Sequence, residues 1–326
     1  MNHAEQIVYT FFRDKDKVQK LFTFLTLEHK KGQDRFDVER FGMFKALFRN
    51  FGDLFLDNFQ AEIESLVCDH RESYQRAAAE LIASIIRGSK HWPYPKIDQL
   101  WSWIIPAIRQ ALSHVSPETQ RDWGTCFATS SDNRDPNRIH WLMEVAMEEP
   151  IRSQGSFIDA SRLYMLQGVV AQQRWRVGEL LYRLLDFLVP FLDHPFHNVR
   201  SRLGAVLTNI FALDLQFGDH GNASVSSPVE KDFFDQIFPR LQLLQTDTGE
   251  EKDEQSLRLL QTISKWILCS LSQNLGPMKA HIPSLAPVLL QHEGYDRDPQ
   301  GCQFIKFYWD IYVACLNGGS FFYCFA

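Results

Sequence analysis

The sequence lacks the short motifs by which several classes of enzyme are recognised. It contains neither GxGxxG nor GxxxxGK followed by Ser or Thr, so it has no glycine-rich loop that could cradle a phosphate group. Gly155-Ser156 does not form part of the GxSxG turn of a serine hydrolase. The six cysteines include no CxxC pair, and we expect them to be buried free thiols of a reducing compartment. The sequence therefore predicts a protein that is not an enzyme, with no catalytic, cofactor-binding or metal-binding residues.

Long apolar runs and clusters of positive charge are also missing. No stretch of about 18 apolar residues exists, so no membrane-spanning helix is predicted. The segment Met1–Phe12 is too charged, and too short in apolar length, for a signal peptide. The net charge of -6 and the absence of a Lys/Arg run give no bulk attraction to nucleic acid or to anionic lipid. We expect a protein of the cytoplasm and nucleus, without a membrane partner and without direct nucleic-acid binding.

What the sequence does contain is helical periodicity from end to end. Apolar residues at helical spacing predict one helix over Tyr94–Val115 and another over Arg176–Leu192, which Pro190 should kink or end. His194-Pro195 then makes a turn, and His197–Leu215 is predicted to return as the antiparallel partner. Two further pairs are predicted, Asp53–Val67 with Glu72–Gly88, and Asn137–Glu148 with Ser161–Gln172. No alternating run bounded by turn residues occurs, so no sheet is predicted.

An arginine recurs near the start of successive predicted helices, at Arg76, Arg121, Arg162 and Arg200. The gaps are 45, 41 and 38 residues, close to the period of HEAT-type repeats of about 40–47 residues. Small residues follow several of these arginines, and they would let a neighbouring helix approach closely. We expect each arginine to lie on the inner helix of a repeat, where its stem packs and its charged head finds an acceptor.

These patterns predict an all-α protein, a HEAT/armadillo-like helical-repeat solenoid. We expect a single α-solenoid of about seven helix pairs over residues 1–316. Two polar segments, 218–228 and 247–254, are predicted to be loops. Residues 317–326 form a divergent apolar tail that resembles nothing before it.

Each cluster of reactive side chains can be interpreted as a metal or catalytic site, or as residues with only a structural role. His194 and His197 lack the further ligands of a metal site and are interpreted as residues of a turn. Cys68 and His70 have no third group to orient them as a nucleophile and base, so a capping or packing role is predicted.

Two further clusters also have a structural interpretation. The carboxylates Glu144, Glu148 and Glu149 are typical of a solvated helix face. The tryptophans that lie close together in sequence are predicted to form a large core between stacked helices rather than an acetyl-lysine or cofactor cage: Trp92, Trp101, Trp103, Trp123 and Trp141.

Several short segments are too particular for a generic helical repeat. They are Arg49–Asp53, Arg87–Trp92, Asp122–Cys126, Arg134–Pro136 with His140–Leu142, Gly155–Ala160, Gln172–Val177 and Asn198–Arg202. Together they resemble the middle section of the large HEAT-repeat proteasome activators, the family of proteasome activator complex subunit four. The resemblance is strongest from about Arg87 to Phe211, extends loosely from about Arg35 to Leu290 and then fades.

The resemblance implies a fold and a partner. Members of this family are far longer chains that curl into a dome of helical repeats, cap the proteasome core particle and open its gate without ATP or ubiquitin. They favour the degradation of peptides and of unfolded or acetylated proteins, and they are linked to turnover of acetylated histones in DNA repair and spermatogenesis. Their acetyl-lysine-reading region lies beyond the part that this sequence resembles, so the resemblance implies no site residues here.

Two functions remain open from the sequence. The chain is either a segment of the proteasome activator that builds the dome wall, or an independent HEAT-repeat adaptor or transport-receptor-like scaffold that binds peptide along a concave face. The apolar stretch Ile311–Ala326 is not the polar cap that a solenoid end needs, which favours the first. The last three residues, Cys324, Phe325 and Ala326, keep the carboxylate and ring of an activator's docking tail but lack its tyrosine hydroxyl. We therefore expect weak docking, without gate opening by the chain alone.

Overall fold

The computed structural model describes residues 2–27, 35–131, 140–148, 156–173, 180–212, 228–246, 254–270, 278 and 280–291. Within these ranges the chain forms α-helices joined by turns and short 3-10 segments, and no strand occurs there. The predicted all-α class is confirmed. The chain divides into two compact units, Met1–Gln173 and Arg174–Ala326.

From α2 onward, the helices of the first unit alternate between two layers, and α1 packs on α2. Their bounds are α1 His3–Arg13, α2 Lys15–Leu25, α3 Val38–Phe51, α4 Leu56–Cys68, α5 Glu72–Gly88, α6 Tyr94–Ser113, α7 Gln120–Ser131, α8 His140–Ala146 and α9 Ser156–Gln173. Helices α2, α4, α6 and α8 pack side by side in one layer, and α3, α5, α7 and α9 pack side by side in the other. We call the second set the inner layer. One helix from each layer makes a repeat, which is the HEAT-like arrangement that the sequence predicts.

Small residues set the close approach of the inner helices. Gly88 of α5 lies so near α3 that an added Cβ would come within 2.5 Å of Phe48 Cβ. Two hydrogen bonds also cross from the α5 repeat to the α3 backbone: Ser84 Oγ donates to the Phe41 carbonyl at 3.0 Å, and Trp92 Nε1 donates to the Phe48 carbonyl at 3.1 Å. The sequence-based expectation that small side chains admit a neighbouring helix is confirmed.

A cluster of phenylalanines fills the space between the layers at the first repeats. The Phe12 ring stacks on Phe55 with 4.4 Å between centroids, and Phe55 meets Phe59 edge to face at 5.3 Å. Phe22 and Phe48 extend the cluster. Aromatic pairs of this geometry contribute about 0.5–1.5 kcal/mol in addition to the free energy of burying their surface. The phenylalanines of this cluster therefore stabilise the core.

The second unit contains α10 Leu180–Leu188, α11 His197–Ile210, α12 Pro228–Thr246, α13 Glu254–Ser270 and α14 Ile282–Gln291. Helix α11 packs on α13, and α12 packs on both α13 and α14. Gly204 permits the α11–α13 contact, because a Cβ there would lie 2.8 Å from the Trp266 backbone nitrogen. Thr262 Oγ1 donates to the Leu192 carbonyl at 2.6 Å and ties α13 to the turn before α11.

Helix bounds follow the sequence-based expectation with small differences. The predicted helix Glu72–Gly88 is observed with the same ends. The helix predicted from Ser161 begins earlier, at Ser156. Helix α10 ends at Leu188 and passes into a 3-10 turn that contains Pro190, as that proline requires.

The segments predicted as loops lie mostly outside the described residues. Only their last residues are described, and Pro228 begins α12 while Glu254 begins α13. The apolar tail at 317–326 lies wholly outside them, and a single solenoid over residues 1–316 stays a prediction. None of the helices in the described ranges is long and apolar enough to cross a membrane.

Candidate functional site

A groove of about 560 Å³ opens where the first turns of α3, α5 and α7 meet, in the first unit. Four arginines line it, namely Arg35, Arg40, Arg76 and Arg121. The carboxylates among its lining residues are Asp37, Glu39 and Asp122. Three helices point their N-terminal ends at this groove, and the N-terminus of a helix carries a partial positive charge. Charged side chains make up seven of the 13 residues that line the groove.

Asp122 ties three elements together behind the groove. Its Oδ2 accepts a hydrogen bond from Arg76 Nε at 3.2 Å, and its Oδ1 accepts the Phe36 backbone N–H at 2.8 Å. The side chains of Asp122 and Arg76 are 4% and 7% exposed. One buried carboxylate therefore joins α7, α5 and the segment that leads into α3.

Glu80 makes the equivalent connection one helical turn further along α5. Its Oε1 accepts the Asp37 backbone N–H at 2.7 Å and an Arg40 Nη2 hydrogen at 3.2 Å. Arg40 Nη1 donates onward to the Leu25 carbonyl at 2.8 Å. Asp37 also caps α3, because its Oδ1 accepts the N–H of Glu39 at 2.8 Å. This network fixes the start of α3 against α5 and the end of α2.

Burial changes the titration of these carboxyl groups. Loss of hydration raises the pKa of Glu80 to about 7, although the nearby Arg40 charge lowers it. Burial likewise raises the pKa of Asp122, and the Arg76 charge opposes that effect. In the last inner helix of the unit, burial raises the pKa of Asp159 to about 6 against the opposing charge of Arg162. Each of these inner helices thus carries a carboxyl group that is costly to ionise.

The side chains at the rim of the groove differ from those at its floor in exposure and in ion pairing. Arg35 and Arg121 are exposed, and within the described ranges neither of them forms an ion pair. Leu27 and Val38 lie beside them with 50% and 69% of their surface exposed. Positive and apolar side chains therefore stand together at the mouth of the groove, while the carboxylates Glu80 and Asp122 face buried donors.

Three of the four recurring arginines pack as the sequence predicts. Arg76, Arg162 and Arg200 are buried on α5, α9 and α11. The guanidinium group of each donates a hydrogen bond to a protein acceptor. Arg162 donates to the Glu148 carbonyl, and Arg200 donates to the His194 carbonyl at 2.6 Å. Arg121 also lies near the start of an inner helix, α7, but the predicted packing is wrong for it, because Arg121 is exposed and its neighbour Asp122 occupies the buried position.

The histidine and cysteine clusters take structural positions. His194 Nδ1 accepts the Phe196 backbone N–H at 3.2 Å within the turn before α11. The His70 ring packs against the His114 ring at an interplanar angle of 59°, with 4.5 Å between the ring centroids. Cys126 is buried, but Cys68 at the end of α4 is exposed. The expectation of buried thiols is therefore wrong for Cys68, which ends its helix on a solvent-facing side.

The tryptophan and glutamate clusters are partly as predicted. Trp92, Trp101 and Trp123 are buried in the core. Trp103 is only half-buried and donates its Nε1 hydrogen to Glu64 at 2.6 Å. Glu148 has a side chain that is 33% exposed and forms a surface ion pair with Arg109, which donates two hydrogen bonds to it at 2.6 and 2.7 Å, so its position agrees with the predicted solvated face. Glu149 lies outside the described residues.

Sequence reasoning missed Asp122 and Glu80, the two carboxylates that organise the groove. A signal for Glu80 was present, since it is a lone charge within the largely apolar stretch Ala77–Ile86 of a helix. A charge at such a position needs a partner when it is buried. Asp122 gave a weaker signal, because it adjoins Arg121 and follows Arg76 by 46 residues, close to one repeat.

The layered helix pairs and their cross-repeat contacts define a HEAT-type helical-repeat protein. A family model described as "Proteasome activator complex subunit 4-like, HEAT repeat-like" matches residues 1–168. The chain is 42% identical over 313 residues to proteasome activator complex subunit 4 of Bos taurus and 43% identical over 313 residues to that of Xenopus laevis. It is 42% identical over 314 residues to proteasome activator complex subunit 4A of Danio rerio.

The chain therefore belongs to the proteasome activator complex subunit 4-like family of HEAT-repeat proteins. Each of these alignments covers 91% of this chain but 17% of the relative. The chain thus spans about a sixth of the length of the curated relatives that it matches.

Proposed function

We propose that this chain is a non-catalytic wall segment of a proteasome activator. The single observation that carries the proposal is the similarity along 91% of the chain to proteins named proteasome activator complex subunit 4. A stack of paired helices suits a wall, because each repeat uses its neighbours as its core and the array can be extended at either side. The role of the segment is then to maintain the curvature of the activator wall and the spacing of its repeats.

The activity belongs to the whole activator in this proposal. It caps the proteasome core particle and promotes, without ATP or ubiquitin, the degradation of peptides and of unfolded or acetylated proteins. The associated biology is histone turnover in DNA repair and spermatogenesis, in the cytoplasm and the nucleus. Acetylated histones are bound by other regions of the full-length family, and this segment contributes no acetyl-lysine site.

A chimera tests the proposal. The matching segment of the Bos taurus relative is replaced by this chain, and the purified chimera is mixed with latent proteasome core particle and a fluorogenic peptide. We expect stimulation of peptide hydrolysis close to that of the parent protein, because the segment supplies the same repeats. A relative with the segment deleted is the control and is expected to be inactive. A chimera that is folded and soluble but does not bind the core particle would contradict the proposal.

The isolated chain gives a second measurement. We expect weak association with the core particle and no stimulation, because a docking tail needs many repeats around it to span the end of the core. Clear stimulation of peptide hydrolysis by the chain alone would show this expectation to be wrong.

The second candidate function is an independent peptide-binding adaptor. The arginine-lined groove favours it, since a charged concave surface is what such a module presents to a ligand. An adaptor should bind its peptide as an isolated chain, and its insertion into the relative should abolish activation rather than preserve it.

A further inference from the structure

We propose that the groove at the starts of α3, α5 and α7 binds an extended peptide segment in which acidic and apolar side chains alternate. This inference deepens the second candidate function, the peptide-binding adaptor, and rests on the same groove, whose lining residues lie between Leu25 and Thr125 of the first unit. Three properties of the groove support it: the balance of charge at its rim, the apolar surface beside that charge, and its size.

The first property is charge. The two inner arginines, Arg40 and Arg76, are opposed by the buried carboxylates Glu80 and Asp122. The rim arginines Arg35 and Arg121 are exposed and form no ion pair among the described residues.

The carboxylates on the groove's own wall do not cancel the rim charge. The Asp37 side chain accepts the N–H groups of Glu39 and Arg40, so its charge is directed at the start of α3. The Asp37 side chain is 40% exposed and pairs with Arg40 Nε at 3.1 Å, which leaves Glu39 as the exposed lining carboxylate outside this ion pair. The two exposed guanidinium groups of Arg35 and Arg121 outweigh it, and a guanidinium group suits bidentate recognition of a carboxylate.

The second property is apolar surface beside the charge. Leu27 and Val38 expose half or more of their surface at the same rim. A simple inorganic anion would make no use of them. An extended segment points alternate side chains in opposite directions, so carboxylates can meet Arg35 and Arg121 while the intervening apolar residues cover Leu27 and Val38.

The third property is size. The volume of about 560 Å³ lies within the range of about 300–1,000 Å³ typical of ligand clefts. That is many times the share of about 30 Å³ that one water molecule occupies in the liquid. The groove therefore accommodates several residues of peptide rather than a single small ion.

Fluorescence anisotropy with the full 326-residue chain tests the proposal. The probe is a fluorescein-labelled peptide of alternating Glu and Leu, compared with a peptide in which Lys replaces Glu and one in which Ser replaces Leu. We expect saturable binding of the Glu-Leu peptide alone, weakened by added salt. The double variant Arg35→Glu with Arg121→Glu is expected to lower the affinity by about tenfold or more.

Arg49→Glu is the matched control, because Arg49 is an exposed arginine at the opposite end of α3. It should leave binding unchanged, and circular dichroism should show that all variants fold alike. The proposal is overturned if no saturable binding occurs or if Arg49→Glu weakens binding as much as the double variant. Equal binding of the Glu-Ser peptide, together with displacement by inorganic phosphate at similar concentrations, would also overturn it by identifying a general anion site.

Discussion

Replacing Glu80 by Gln should make the first unit less sensitive to pH. Glu80 has an ordinary pKa of 4.5, and burial raises the pKa to about 7 in the folded chain. Between these values the folded state holds a proton that the unfolded state releases. The free energy of unfolding therefore falls as pH rises from about 4.5 to about 7.

The magnitude follows from the two pKa values. A difference of one pKa unit corresponds to 1.36 kcal/mol, so the interval from 4.5 to about 7 corresponds to about 3 kcal/mol. Glutamine keeps an oxygen that can accept the Asp37 N–H, but it cannot ionise. The stability difference between Glu80→Gln and the wild type should thus shift in favour of the variant by up to about 3 kcal/mol between about pH 5 and pH 8.

Urea unfolding followed by far-UV circular dichroism measures this shift across that pH range. Glu39→Gln is the control for the loss of one carboxylate, because Glu39 is an exposed residue on the first turn of α3. The outcome that would refute the reasoning is a pair of parallel stability curves for the wild type and Glu80→Gln. Such curves would mean that Glu80 stays ionised in the folded chain throughout.

Other substitutions and modifications test the packing. Gly204→Leu should destabilise the second unit by about 1–3 kcal/mol or more, because the leucine side chain would meet the α13 backbone. Gly42 has open space around it, so Gly42→Ala should instead stabilise α3 by about 0.5–1 kcal/mol in the same urea assay. Asp122→Ala should cost about 3–5 kcal/mol, since it removes the acceptor of two buried donors, and a loss below 1 kcal/mol would contradict the network. In thiol-labelling kinetics Cys68 should react in the native chain, whereas Cys126, whose pKa burial raises to about 12, should react only after unfolding.

The helical layers could be predicted from the sequence because their signal is local. Apolar spacing fixed the ends of α5, and Pro190 marked the end of α10. The groove could not be predicted, because it depends on which of two adjacent charged residues faces inward. Arg121 and Asp122 are both reasonable partners for a buried neighbour, and a rotation of α7 by about 100° per residue decides between them. That rotation is set by packing against α5 and α9, which no single segment encodes.

The side-chain bonds from Ser84 and Trp92 to backbone carbonyls of α3 have a consequence for how the first unit comes apart. These donors lie 43 and 44 residues from their acceptors, so the α5 repeat binds the main chain of α3 as well as its side chains. In a solenoid the free energy of each interface acts as a nearest-neighbour coupling, and strong coupling makes partly unfolded states rare. We expect hydrogen exchange in α3 and α5 to occur through a shared opening, with both helices gaining deuterium together rather than one before the other.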